Sequence, residues 1–208
     1  MFKDRADAGE KLAQALKKYK AENPLVLAIP RGGVEVGYHV AKELNAQFSI
    51  VVARKLPFPD NPEAGFGAIA EDGSLFIIKE YESILPLKVV EQTIKAERAE
   101  AKRRVKVLRG DKPLPEIKGR TVILIDDGIA MGVTMHAAIM LCRNKSAEKI
   151  IVAAPVSGPD VKKEMEKAAD EVVILETPYY FRAVAQAYEN WHDVQDDEVI
   201  KFFSGYGW

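Results

Sequence analysis

Several things are missing from this 208-residue chain, and each absence removes a class of function. It has 1 cysteine, Cys142, which excludes an intrachain disulfide framework and any multi-cysteine zinc or iron–sulfur site. It has no charge of one dominant sign: 30 Lys plus Arg oppose 31 Asp plus Glu, for a net charge of -1. A global field that would recruit nucleic acid or an anionic membrane is therefore lacking. Nowhere do about 18 apolar residues run together, and Met1-Phe2-Lys3-Asp4-Arg5 shows no signal-peptide stretch. These absences predict a soluble, cytoplasmic protein with no membrane or nucleic-acid partner. His39, His136 and His192 are scattered without metal-ligand spacing. No G-x-x-x-x-G-K-[ST] occurs, which excludes a Walker A loop.

What the chain does have is alternation. Its composition, 48% hydrophobic and 29% charged, suits an ordinary globule with a full core, read as one domain over residues 1–208. Leu25–Ile29, Ser49–Ala53, Thr121–Ile125, Ile150–Ala154 and Glu171–Leu175 are short, apolar and rich in β-branched residues. Continuous rather than alternating apolar character predicts strands covered on both faces, hence a parallel sheet. Amphipathic stretches separate them: Asp7–Tyr19, Val34–Leu44, Leu87–Leu108, Met135–Arg143 and Asp160–Ala168. This order predicts an α/β fold with a doubly wound, mainly parallel sheet. Arg54–Gly73, with its prolines and glycines, breaks the rhythm and reads as a long flexible loop. Ala68–Ala70 and Leu75–Ile78 flank Glu71-Asp72-Gly73-Ser74, so they are expected to pair as a hairpin.

Ligands of open α/β sheets bind beyond the carboxyl ends of the strands, which directs attention to three segments. After Ile125 come Asp126-Asp127-Gly128-Ile129-Ala130-Met131-Gly132-Val133-Thr134. Two carboxylates end a strand, a turn of small residues follows, and Thr134 is expected to open a helix whose N–H groups suit a phosphate. The carboxylates would repel that phosphate, so they are suited to accepting hydroxyl hydrogen bonds or organising Mg²⁺. Diol acceptors beside a phosphate cradle describe a ribose 5-phosphate site. After Ile29, Pro30-Arg31-Gly32-Gly33 offers a cation and flexible backbone. A tight turn whose glycines only permit close packing reads this segment equally well. A nicotinamide dinucleotide site is a competing alternative, although Gly32-Gly33-x-x-x-Gly37 is not G-x-G-x-x-G and Ala53-Arg54-Lys55 replaces the expected acid. After Ala53, Arg54 and Lys55 stand at the base of the long loop, as ligand cations or as solvated charges.

The Val122–Thr134 segment resembles the signature of the type I phosphoribosyltransferases: four apolar residues, two acids, then a small-residue loop ending Thr-Gly-x-Thr. The chain is similar in particular to small bacterial and archaeal members carrying Pro-Arg-Gly-Gly, Arg-Lys-Leu…Asn-Pro-Glu and Asp-Asp-Gly-Ile-Ala. The resemblance implies transfer of a 5-phosphoribosyl group from phosphoribosyl pyrophosphate to a nitrogenous acceptor such as a nucleobase, releasing diphosphate. Asp126 and Asp127 would bind the ribose hydroxyls, and Ala130, Met131, Gly132, Val133 and Thr134 the 5′-phosphate. Arg31, Gly32 and Gly33 would hold diphosphate, often through an unusual peptide conformation. Arg54 and Lys55 would act on the departing group from a catalytic loop. Mg²⁺ would be bound mainly through substrate near the acid pair, and a homodimer is the implied assembly. The core would span about 20–176 and a hood about 177–208, joined by the first residues of the chain. Met131 departs from the family pattern, because a thioether cannot donate the hydrogen bond of the usual threonine. A non-catalytic sensor of phosphoribosyl pyrophosphate on the same fold therefore stays open beside the enzyme.

Other signals have plainer readings. Tyr180 and Phe181 are expected either to stack on a base or to anchor the tail. The basic Leu87–Leu108 helix carries interleaved glutamates, so it reads as a solvated surface with Leu87, Val90, Ile94, Ala101, Val105 and Leu108 inward, and more weakly as an RNA-binding face. His136, a turn beyond the proposed phosphate loop, is expected at the surface. Cys142 is expected to be a small buried hydrophobe.

Overall fold

The computed structural model describes residues 1–82, 84–110 and 112–206, with the side chains of Glu63 and Glu82 also outside the description. The Glu63 side chain of Asn-Pro-Glu and the last two positions of the expected hood, Gly207 and Trp208, thus lie outside the description. Helix α1 (Arg5–Leu16) leads to β1 (Leu25–Ala28), α2 (Gly33–Leu44) and β2 (Gln47–Ile50). Strands β3 (Ala53–Phe58), β4 (Asn61–Ala70) and β5 (Leu75–Ile77) follow, then α3 (Lys79–Glu82) and α4 (Leu87–Arg109). The second half runs β6 (Thr121–Ile125), α5 (Val133–Asn144), β7 (Lys149–Val156), α6 (Pro159–Ala168), β8 (Glu171–Glu176) and α7 (Asp196–Ser204). Among the described residues, no helix is long and apolar enough to cross a membrane.

The central sheet is parallel throughout, in the order β2-β1-β6-β7-β8. Winding goes outward from β1 to β2 on one side and from β6 through β7 to β8 on the other. The switch in direction therefore falls between β1 and β6, where Ala28 is in register with Ile125. The inner strands β1, β6 and β7 are apolar on both faces because both faces are covered. Val26, Ala28, Ile123 and Ile125 pack with α1, α2 and α7, while Leu25, Leu27, Val122 and Leu124 pack with α5. The expected α/β fold with a doubly wound parallel sheet is the observed one.

Several local expectations are corrected. Ser49–Ala53 is not one strand: β2 stops at Ile50 and Ala53 begins a separate antiparallel sheet, β3-β4-β5. The chain can leave the parallel sheet there because the Glu71 carboxylate accepts from the Val52 N–H. Most of Arg54–Gly73 is not a loop. Arg54 pairs with Ile69, Lys55 with Ala68 and Leu56 with Gly67, satisfying backbone groups that a loop would leave to water. Leu56, Phe66 and Ile69 then bury against Tyr81, Val90 and Ile94. The expected β4–β5 hairpin is present, with Ile69 opposite Leu75. Leu87, expected inward, is 76% exposed at the first turn of α4, ahead of the apolar stripe that begins at Val90. His136 is not at the surface: it is half-buried and stacks on Phe76 at 4.2 Å, and burial pushes its pKa down. Cys142 is fully buried as expected, and burial pushes its thiol up to about 12.

A candidate phosphoribosyl site at the switch point

The switch point brings the acid pair and the paired glycines into contact. Ile29 donates its N–H to the Ile125 carbonyl at 2.8 Å, which holds the two strand ends level. A Cβ on Gly32 would fall 1.9 Å from Asp127 Oδ2, and one on Gly33 would fall 2.8 Å from Asp126 Cα. Only glycine fits this contact. The Pro30–Arg31 peptide bond is cis. Arg31 is half-buried and reaches Asp196 Oδ1 on α7 at 3.6 Å.

Beyond the acids, the chain turns through Gly128 to Gly132, which adopts φ 74°, and α5 begins at Val133 rather than Thr134. No side chain caps that helix end, so its first N–H groups face the space in front of it. A cavity of about 210 Å³ lies there, lined by Lys55, Asp126 and Gly128–Thr134. Met131 is 44% exposed and also borders a second, more apolar cavity of about 720 Å³ against Phe76 and His136. Strand alternation separates the two predicted cations. Lys55 faces the first cavity, whereas Arg54 turns to α4 and donates Nε to Glu97 at 2.9 Å. The structure does not bring Arg54 to the site. Tyr180 is 84% exposed, while Phe181 packs in a cluster with Val156 and the Phe2–Tyr188 pair.

The acids have unequal surroundings. Burial, then the neighbouring Asp127 charge, pushes the Asp126 pKa well above the usual carboxylate range. Its Oδ1 accepts from the Asp127 N–H at 2.9 Å. Burial also raises the Asp127 pKa, but the Arg5 guanidinium opposes this by donating Nε to Oδ2 at 2.8 Å. Glu35, at the start of α2, is likewise raised by burial and eased by Arg5. In the sequence Arg5 had a place only among the first residues expected to join the hood, and Glu35, Tyr188 and Trp191 had no individual role. One signal for Arg5 did exist. A cation in the first turn of a helix opposes the helix dipole, so it calls for a tertiary anion.

A phosphoribosyl transferase domain model matches residues 3–189, which covers the acid pair and both loops. The chain belongs to the phosphoribosyl transferase family. Two Mycobacterium tuberculosis proteins named provisionally as phosphoribosyl transferases are 38% identical over 204 residues, 97% of this chain but 46% of theirs. The chain thus spans about half the length of these curated relatives. A Thermus thermophilus crystal structure superposes with a TM-score of 0.84 at 34% identity, covering 99% of this chain and 98% of that one. A shorter stretch of 65 residues, 30% of this chain and 20% of the relative, is 37% identical to a ribose-phosphate pyrophosphokinase of Mycobacterium leprae.

Mg²⁺ keeps much of its water and is usually held by one or two carboxylates together with substrate phosphates. This donor set fits that mode and not a protein cage. Asp126 offers carboxylate oxygen at the cavity wall, while one Asp127 oxygen is committed to Arg5. Among the described residues, no group of three His, Cys, Asp or Glu is placed to hold a metal.

Proposed function

We propose that this phosphoribosyltransferase-family chain transfers a 5-phosphoribosyl group from phosphoribosyl pyrophosphate to a nitrogenous acceptor, a nucleobase being the class favoured, with release of diphosphate. One observation carries the reading: at the switch point the Gly32-Gly33 turn presses on the acid pair, and Asp126, Lys55 and the N-terminus of α5 line a cavity of about 210 Å³.

In this reading the 5′-phosphate sits on the N–H groups of Ala130–Thr134 and the Thr134 hydroxyl. Asp126 accepts from the ribose hydroxyls, with Asp127 beside it held in place by Arg5. The diphosphate lies over Gly32-Gly33, and Arg31 exchanges its 3.6 Å contact with Asp196 for the stronger anion. As the C1–O bond lengthens, charge collects on the diphosphate and the sugar approaches an oxocarbenium ion. Lys55 stabilises that developing charge. Mg²⁺, bound chiefly by substrate beside Asp126, supplies neutralisation of the diphosphate. Arg54 takes no direct part, because Glu97 holds it on the far face of β3. The planar acceptor is assigned to the exposed ring of Tyr180, while Phe181 anchors the tail.

A sensor is the second reading, favoured by the thioether of Met131 where a donor is expected. Purified protein with phosphoribosyl pyrophosphate, Mg²⁺ and a panel of purines, pyrimidines and amines decides between them. Diphosphate release with one acceptor supports the enzyme. Binding without release across the panel supports the sensor, and no binding of phosphoribosyl pyrophosphate refutes both.

A further inference from the structure

Arg5 begins α1, yet its side chain crosses to the acid pair, 122 residues away in the sequence. It is 3% exposed, which is rare for arginine unless every donor has a use. Its Nε donates to Asp127 Oδ2 at 2.8 Å and its Nη1 to the His192 carbonyl at 2.9 Å. The guanidinium carbon lies 4.0 Å from the Trp191 ring centroid. Tyr188 completes the arrangement by donating its hydroxyl to the Asp127 carbonyl oxygen at 2.6 Å. Phe2 pairs with Tyr188 as an isolated parallel bridge, so the first residues of the chain and the 187–192 segment form one unit over the acid pair.

Resting on the reading of the site just given, we propose that Arg5 is a positioning residue for the phosphoribosyl site: it fixes Asp127 by one oxygen, ties it to the Tyr188–His192 segment, and so divides the two acids into a clamped one and a ligand-facing one. Oδ2 of Asp127 is enclosed by Arg5 on one side and the Gly32 backbone on the other. The Asp127 side chain is also hydrogen-bonded to that of Asp126. Asp126 instead lines the cavity and accepts from the Asp127 N–H. A ribose diol therefore meets Asp126 directly and Asp127 in one fixed orientation. Occupancy of the diol position is transmitted to the indole of Trp191 through the guanidinium. Lysine cannot replace Arg5, because one ammonium cannot serve Asp127 and the His192 carbonyl in a planar fork while stacking on the ring.

The test uses the full chain, with Trp208→Phe as background so that Trp191 is the remaining indole. Ribose 5-phosphate and inorganic phosphate are titrated separately, with circular dichroism confirming the fold. In the background protein, ribose 5-phosphate is expected to change Trp191 emission and inorganic phosphate to leave it unchanged. Arg5→Lys is expected to bind ribose 5-phosphate at least tenfold more weakly, to hold inorganic phosphate within twofold, and to lose the emission change. Trp191→Leu, which keeps both hydrogen bonds of Arg5, should show the same selectivity with a loss of about threefold. Equal losses for both ligands in these two variants would mean that Arg5 only supports the fold, and unchanged ribose 5-phosphate affinity in Arg5→Lys would also overturn the proposal. If the background protein binds neither ribose 5-phosphate nor phosphoribosyl pyrophosphate, the functional reading itself fails and takes the positioning role with it.

Discussion

Asp126→Asn is expected to make the protein more stable and less able to bind its ligand. The stability half follows from the raised pKa. A carboxyl whose pKa is higher folded than unfolded favours the folded state most below its unfolded value, near 3.8, and loses that contribution as pH rises through the folded value. Once ionised, the native Asp126 is a half-buried carboxylate beside a second acid, and the neutral amide is not. The substituted side chain keeps an oxygen to accept from the Asp127 N–H, the 2.9 Å bond that orients it. The affinity half follows from the lost charge. A hydrogen bond to a charged group contributes about 1.5–3 kcal/mol, and 1.4 kcal/mol is tenfold, so ribose 5-phosphate binding should weaken by about 10- to 150-fold. Urea unfolding at pH 5 and pH 8 and calorimetric titration measure the two halves. The stability difference should grow with pH. A variant less stable than native at pH 8, or one that binds ribose 5-phosphate unchanged, refutes the assignment of Asp126 as the half-buried, ligand-facing acid.

Other perturbations separate the remaining parts of the site. Met131→Thr restores a hydroxyl at a position 44% exposed, so it leaves little void and should tighten ribose 5-phosphate by up to about 1–3 kcal/mol in titrations; no gain would show that the thioether serves another ligand. Gly32→Ala drives a methyl to 1.9 Å from Asp127 Oδ2, so thermal unfolding should register a loss of about 1–3 kcal/mol and ribose 5-phosphate binding should fall with it. Lys55→Ala should lower diphosphate affinity, whereas Arg54→Ala should leave it intact and cost about 1 kcal/mol, a fall in Tm of about 2–4 °C. The reverse pattern would put the wrong cation at the cavity. Hydrogen bonds from Lys149, Tyr19 and Lys18 hold the Glu171 pKa down to about 2, so stability present above its usual value is lost as pH falls through that window. Acid unfolding of Glu171→Gln should accordingly be shallower between about pH 4.5 and 2, and an unchanged slope would assign acid sensitivity elsewhere.

How far the sequence carried can be judged at particular residues. The strands around Leu27, Leu124 and Val152 were legible because burial on both faces leaves an apolar run that needs no partner to be recognised. The acids after Ile125 and the glycines after Ile29 were legible because the carboxyl ends of such strands are where ligands bind. Arg54 and Lys55 were not separable while their segment read as a loop. Once β3 pairs with β4, the two-residue period sends Lys55 to the cavity and Arg54 to Glu97. His136 was misplaced for a similar reason: its half-burial depends on Phe76, on a short strand of the second sheet.

The sequence by itself determined the α/β class, the family signature and the chemistry available at each strand end, since these depend on local periodicity and on neighbours within a few residues. Tertiary structure decided which strand ends meet. Nothing local states that β1 lies beside β6, yet that adjacency presses Gly32 and Gly33 against Asp126 and Asp127. It also decided that the two acids differ. They are consecutive and chemically identical in the sequence, and they become unequal because a guanidinium 122 residues away reaches one and not the other. Burial makes that difference matter: it pushes both carboxyl pKa values up, and a single charge-assisted hydrogen bond from Arg5 opposes the rise at Asp127.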